Sequence, residues 1–263
     1  MTDRLLLLAP RINETGLQLL TAARRRGIRA HTATRWEVPE ELRGLRPAHL
    51  YGGPLFADAV GRELGIAALV DPAGWLPALP YELTRRTVEC TTLAEARLLR
   101  RPAFVKPPND KLFAARIYPD GSGLPGPDAL DDDFPVLVSD IVAFRREYRL
   151  FVLDGEVLTG SRYLADGRLD VAPLDEDPHR AQVLAFTADV LACGGLPSAV
   201  TVDVGLLAGG GWAVVEANCA WASGGYACDP DRVLDVVLRA AGPEQDVRPA
   251  DLPHRRPLPE VVR

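Results

Sequence analysis

Lysine is almost absent from this chain. Of its 30 basic residues only Lys106 and Lys111 are lysines, five positions apart, and all the others are arginine. Lysine is a compact point charge on a flexible stem, arginine a planar fork. A sequence that avoids lysine and then places both in one short segment points to a chemical requirement there; two solvated surface lysines are the bland alternative. Other scarcities exclude whole classes. The four cysteines (Cys90, Cys193, Cys219, Cys228) are scattered, with no CxxC pair and no histidine near them at zinc spacing. That argues against a zinc module and for a reduced, cytoplasmic protein. The four-leucine run at residues 5–8 is too short for a membrane span. Positive charge is not in excess, because the net charge is −6, which argues against a general nucleic-acid surface. No Ser-His-Asp or Cys-His pattern offers a protein nucleophile.

What is present is an ordinary globular composition, 47% hydrophobic and 25% charged over 263 residues. That length builds one large domain or two to three small ones. Apolar runs predict strands over 5–8, 28–33 and 48–51. Between and after them lie a helix capped by Asn13, with Leu17 and Leu20 facing inward, and a helix over 56–64 stopped by Gly65. Strand–helix alternation of this kind implies a small parallel α/β unit. A Pro-rich stretch over 71–80 reads as the link out of it. Thr92 and Glu95 form a capping box, and strands are expected over 103–106, 114–118 and 135–139. A hairpin over 147–163 turns at Asp154-Gly155. Helices are expected over 178–191 and 230–241, and the tail after Gly242, with five prolines, reads as peripheral.

Three segments carry candidate chemistry. In the first, Val200 to Leu207 and Trp212 to Asn218 flank Gly209-Gly210-Gly211 as two arms of a hairpin. A symmetric turn pairs Asp203 with Glu216, and Asn218 points to the same face. Like charges so paired repel, whereas Mg²⁺ takes such hard oxygen ligands and completes its shell with water and phosphates. An exposed hairpin with acids facing water is the alternative, disfavoured by the apolar flanks. In the second, a strand ending at Lys106 and a turn leading to Lys111 set two ammonium groups over a triphosphate. In the third, Ser139, Asp140, Ile141 and Val142 leave a strand as an irregular stretch where a nucleotide base can lie. Glu147 and Arg149 follow on one strand face, an acid for ribose hydroxyls and a fork for phosphate; a surface ion pair is the commoner fate of such a pair.

Together these residues resemble the ATP-grasp superfamily, in particular its clade named for signature arginines and a lysine. The resemblance runs from about Thr84 to Ala241. Asp203, Glu216 and Asn218 look like the metal-binding triplet, Phe104-Val105-Lys106-Pro107 like the strand lysine on the α-phosphate, and Val138 to Val142 like the adenine hinge. Glu147-Tyr148-Arg149 resembles the clade's ExR strand, and Tyr51-Gly52 a turn of the preceding domain. Many relatives carry another lysine in the linker; here Arg85 and Arg86 stand there, so Lys111 or one of those arginines supplies that charge.

The resemblance implies an ATP-grasp fold of mixed α/β (α+β) class. Its parts would be a small N-terminal parallel α/β domain (1–83), an ATP-grasp domain (84–242) whose lid (84–140) and core (141–242) grip ATP, and a Pro-rich tail (243–263). It further implies a Mg²⁺- and ATP-dependent ligase that joins a carboxylate to an amine, on small molecules or peptides, through an acylphosphate. A small-molecule kinase and a non-catalytic nucleotide-binding module are the alternatives. Lys106, Lys111 and Arg149 would act on phosphate, and Arg162 would clamp an acceptor carboxylate near the loop from Trp221 to Gly225. No membrane or nucleic-acid partner is expected, and a homodimer is admitted. Asp203→Ala and Glu216→Ala are each expected to stop ATP turnover while the chain stays folded.

Overall fold

Four consecutive leucines form β1 (Leu5–Leu8), and all four are buried. Parallel strands covered on both faces read as continuous apolar runs, and β1 lies between two parallel neighbours. The computed structural model describes residues 4–11, 13–109 and 112–259. After β1, the Asn13 side chain accepts from the Gly16 amide at 2.7 Å and opens α1 (Glu14–Arg25). Then follow β2 (Arg29–Thr32), β3 (Ala48–Tyr51), α2 (Pro54–Leu64), ended by Gly65 at φ 63°, and a short β4 (Ile66–Ala68). The first sheet is parallel, in the order β2-β1-β3. Helix α1 corrects one expectation. Its buried residues are Thr15, Gly16, Leu19, Ala22 and Ala23, whereas Leu17 is 52% exposed. Small residues make the inner face because the helix lies close to its neighbour, so side-chain size misled the pattern.

The 71–80 stretch holds α3 (Trp75–Ala78) and leads to α4 (Tyr81–Thr84). The next unit has β5 (Val88–Thr92), α5 (Leu93–Ala96) with the expected capping box, β6 (Ala103–Lys106), β7 (Arg116–Tyr118) and β8 (Pro135–Ser139). Its sheet is antiparallel, in the order β5-β8-β6-β7.

The third unit begins with β9 (Phe144–Leu153) and β10 (Glu156–Ala165), joined by Asp154 and Gly155 at φ 53° and 82°, the two positive values a type I′ turn requires. An unforeseen β11 (Arg168–Pro173) follows, then α6 (Arg180–Ala192), β12 (Ala199–Leu207), β13 (Trp212–Asn218), α7 (Pro230–Ala240) and β14 (Ala241–Pro243). The sheet order is β11-β10-β9-β12-β13, all antiparallel. One face buries Tyr148, Leu150, Val152, Val200, Val202 and Val204 in a core shared with Val183 and Val190 of α6. The opposite face carries Glu147, Arg149, Asp203 and Glu216.

The tail is not peripheral. β14 pairs with β4, and the buried Asp251 carboxylate accepts from the Ser198 amide and hydroxyl at 2.7 and 2.6 Å. On β3, His49 is 2% exposed; its Nδ1 donates to Leu238 O at 2.7 Å and its Nε2 accepts from Arg4 Nε at 2.9 Å. Burial, then the Arg4 charge, lowers its pKa to about 4. The unfolded chain protonates this histidine first, near pH 6.5, so its stabilisation is complete above that pH and is lost as pH falls toward 4. The full loss is about 3 kcal/mol. His49→Gln should flatten the pH dependence of denaturant midpoints between 6.5 and 4; an unchanged slope would show that another group governs it.

Candidate active site

A cleft of about 380 Å³ separates the second and third sheets. Phe104, Lys106, Leu137 and Ser139 line one wall; Glu147, Tyr163, Val215 and Glu216 line the other. Asp140, Ile141 and Val142, the connection between the sheets, close one end. Ile141 is 46% exposed there, an apolar shelf beside the open cleft. Ser139 is buried, and Asp140 accepts from the Thr87 amide at 3.0 Å, which fixes the connection.

The hairpin register places Asp203 across from Glu216, Thr201 across from Asn218, and Val204 across from Val214. The turn is one residue longer than the symmetric one expected, and a bulge at Val215 absorbs the offset before the acids are reached. Bulges commonly re-aim side chains beside functional sites. Here the carbonyls of Val214 and Val215 accept from Arg86 Nη1 and Nη2 at 2.7 and 3.0 Å.

Lys106 reaches across from β6 and pairs with Glu216 Oε2. Asn218 Nδ2 donates to Glu216 Oε1 at 2.8 Å. Burial raises the Glu216 pKa, but Lys106 and the Asn218 amide outweigh it, and the carboxyl ends below its ordinary value. Asp203, 1% exposed, is held by the Arg149 fork, Nε to Oδ1 at 2.9 Å and Nη2 to Oδ2 at 2.6 Å. Burial disfavours the guanidinium, yet the Asp203 carboxylate overcomes it and drives the Arg149 pKa upward, so the pair is ionised. The third Arg149 nitrogen faces Gly224 O at 3.4 Å. Its guanidinium carbon lies 5.8 and 5.4 Å from the ring centres of Tyr163 and Tyr226, which stack 5.0 Å apart at 12°. Arg149 is thus committed to Asp203 and is not among the residues lining the cleft. Glu147 does line it and accepts from the Tyr163 hydroxyl; burial raises its pKa.

Asp203, Asn218 and Arg149 stand beside the cleft without lining it, and Arg162 is placed elsewhere. Arg162 sits across from Tyr148, on the α6 face of the sheet, where Asp170 (3.1 Å) and Asp177 take its guanidinium. That geometry removes it from the acceptor end. Lys111 lies outside the described residues.

Two contributors were underweighted or missed. Arg86, 7% exposed, lines the cleft, whereas Arg85 is exposed at φ 51°. Arg86 donates to three carbonyls, including Thr84 O at 3.0 Å, lies 5.7 Å from the Phe144 ring centre, and has no carboxylate partner among the described residues. Burial lowers its pKa. A buried cation in direct contact with no acid, balanced only at a distance by Glu216 and Glu147, can take up an anion in the cleft. Asp71, from the stretch read as a linker, is 7% exposed and shares a small pocket with Lys106 and Glu216. Burial pushes its carboxyl up to about 7. No sequence pattern singled it out.

The donor set suits a hard divalent cation: two carboxylates on paired strands and an amide whose oxygen stays free while its nitrogen holds Glu216. Among the described residues no three His, Cys, Asp or Glu side chains gather as a metal nest, so two carboxylates and one amide are the set on offer.

Two α+β units closing on a cleft, behind a small parallel sheet, define an ATP-grasp protein. The chain belongs to the ATP-grasp domain family, in the second family of the clade named for its signature arginines and lysine, which it matches over residues 83–236. Among solved structures, the ATP-grasp ligase PsnB complexed with a minimal precursor is similar with a TM-score of 0.50 at 16% identity, over 91% of this chain and 100% of that one. PsnB complexed with a phosphomimetic variant of that precursor, Mg and ADP gives the same TM-score and identity over 91% and 97%. A RimK domain ATP-grasp protein from Sphaerobacter thermophilus gives 0.50 at 19%, over 89% and 99%. At these identities the likeness is one of fold. No curated protein matches the sequence. Among the described residues, no helix is long and apolar enough to cross a membrane.

Proposed function

We propose that this protein is an ATP-dependent ligase that joins a carboxylate to an amine through an acylphosphate. The observation that carries the proposal is the meeting of Lys106 and Glu216 across the cleft, with Asp203 and Asn218 on the same strand pair. Adenine lies along Ser139, Asp140, Ile141 and Val142, and Glu147 exchanges Tyr163 for a ribose hydroxyl. Lys106 leaves Glu216 for phosphate oxygens, Arg86 lends its unmatched charge beside it, and Lys111 is assigned to the triphosphate. Asp203, Glu216 and Asn218 would hold Mg²⁺, which when bound supplies charge neutralisation for the nucleotide's phosphates. Arg149 fixes Asp203 in place. The acceptor carboxylate attacks the γ-phosphorus and ADP leaves; the amine then attacks the acyl carbon and phosphate leaves. The work is positioning and electrostatics, which agrees with the absence of a nucleophile–base pair among the residues of the cleft.

The test is incubation with ATP, Mg²⁺ and a library of carboxylates and amines, small molecules and peptides, read by mass spectrometry. A condensed product with released phosphate is expected. A stable phosphorylated acceptor would make the protein a kinase, and ATP binding without turnover would make it a binding module. Arg86→Lys keeps the charge but cannot serve three carbonyls and a phosphate together. Turnover should fall roughly 10–100-fold, with a raised KM for ATP; unchanged kinetics would remove Arg86 from the site.

A further inference from the structure

A second cleft, of about 440 Å³, opens beside the N-terminal end of β1, lined by Arg4 and His49 and by α7, the β9–β10 turn region and the tail. It shares no lining residue with the nucleotide cleft. The two lie at opposite ends of the first sheet, because Gly52, just beyond the carboxyl end of β3, donates to Trp221 O at 2.8 Å in the loop after Asn218.

Pairing within the second cleft is incomplete. Arg26 is matched by Asp235 at 2.6 Å; the buried Asp251 is hydrogen-bonded by the neutral Ser198 amide and hydroxyl, and Asp246 lines the cleft exposed, with no ion pair among the described residues. Among the described residues Arg4 is held by His49 and by no acid. Since His49 Nδ1 donates to Leu238 O, its Nε2 accepts from Arg4, and the ring is neutral. A neutral imidazole orients the guanidinium and leaves its charge uncancelled. Arg239, half-buried on α7, has no hydrogen bond or ion pair among the described residues. Beneath these two cations the floor is apolar: Leu69 and Leu238 are buried, Leu153 and Leu158 partly so. Two guanidinium groups with no ion pair among the described residues, over a floor of leucines and with the exposed Asp246 carboxylate elsewhere in the lining, form a surface for a carboxylate with a branched apolar body.

We infer that this cleft is a second binding site, for a small organic carboxylate with an apolar side chain, held by Arg4 and Arg239. The site spans the first sheet, the β9–β10 hairpin and the tail, so an occupant ties the three together.

Isothermal titration calorimetry of the full chain with 4-methylpentanoate, and with 3-methylbutylamine as the cationic counterpart, tests the inference. The carboxylate should bind at one site per chain, with or without saturating ATP, and the amine should not. Arg239→Gln should weaken that binding about tenfold or more, as expected for a lost charge-assisted hydrogen bond, and among the described residues this side chain has no native partner to lose, so the fold is kept. Arg4→Gln should do the same. Lys106→Met should leave it unchanged, which separates this cleft from the nucleotide cleft and from any acceptor bound there. Absence of binding at about 10 mM, preference for the amine, survival of binding in Arg239→Gln, or its loss in Lys106→Met would each overturn the assignment.

Discussion

Glu216→Ala is expected to lower ATP turnover by roughly a thousandfold, the scale set by removing a preorganised charge at a reacting phosphate. Glu216 stands in two relations at once: it sits opposite Asp203, where the proposed function makes it a metal ligand, and it pairs with Lys106 across the cleft. Its side chain is 29% exposed and the Lys106 stem is flexible, so the freed ammonium can turn into the water of the cleft. The melting temperature should therefore move little. Phosphate release and thermal melts on the same preparation read both halves of the expectation. Turnover within tenfold of the parent would remove Glu216 from the chemistry. Lys106→Arg should fail with it, because a planar fork cannot stand in for a point charge in direct contact with Glu216.

Arg149→Met should act on stability. It strands the Asp203 carboxylate at 1% exposure without its bidentate partner, and breaking a buried ion pair from one side costs about 3–5 kcal/mol. For a chain of this size that is a fall of roughly 10 °C in melting temperature. Asp203→Ala removes the pair from the other side and should cost similarly, so this variant, expected from sequence to stay folded, should do so with a lowered melting temperature. Replacing both, Arg149→Met with Asp203→Leu, should recover most of the loss while leaving the protein inactive. A single Arg149→Met variant as stable as the parent would mean that the pair is not a buried clamp.

Strands at Leu5–Leu8, Ala48–Tyr51, Ala103–Lys106 and Pro135–Ser139 were legible to the residue, because each is an apolar run ended by a glycine, a proline or a charge. β4 was not, since three residues pair with β14 from the far end of the chain and a local pattern carries no trace of that partner. β11 does carry a local signal: Asp166-Gly167, at φ 47° and 75°, repeats the Asp154-Gly155 turn. In the cleft, the count around the glycine turn matches the Asp203–Glu216 pairing only because the bulge at Val215 cancels the extra residue of the turn. The commitment of Arg149 to Asp203 was not legible, because it depends on β9 lying beside β12, two strands distant in sequence. Arg162 was misplaced because its strand parity sets it across from Tyr148, on the α6 side. Asp71 sits among prolines and apolar residues, where nothing in composition distinguishes a buried wall residue from a linker.

The extra residue at Val215 couples turn length to the seating of a distant cation. Deleting one glycine from Gly209-Gly210-Gly211 lets β12 and β13 run without a bulge and keep Asp203 opposite Glu216, but successive carbonyls of a regular strand point to opposite edges, so one of the two now turned toward Arg86 is drawn into the ladder. A hairpin trimmed in that way would retain its acids and loosen its arginine, so loop length and linker charge in this protein change best as a matched set.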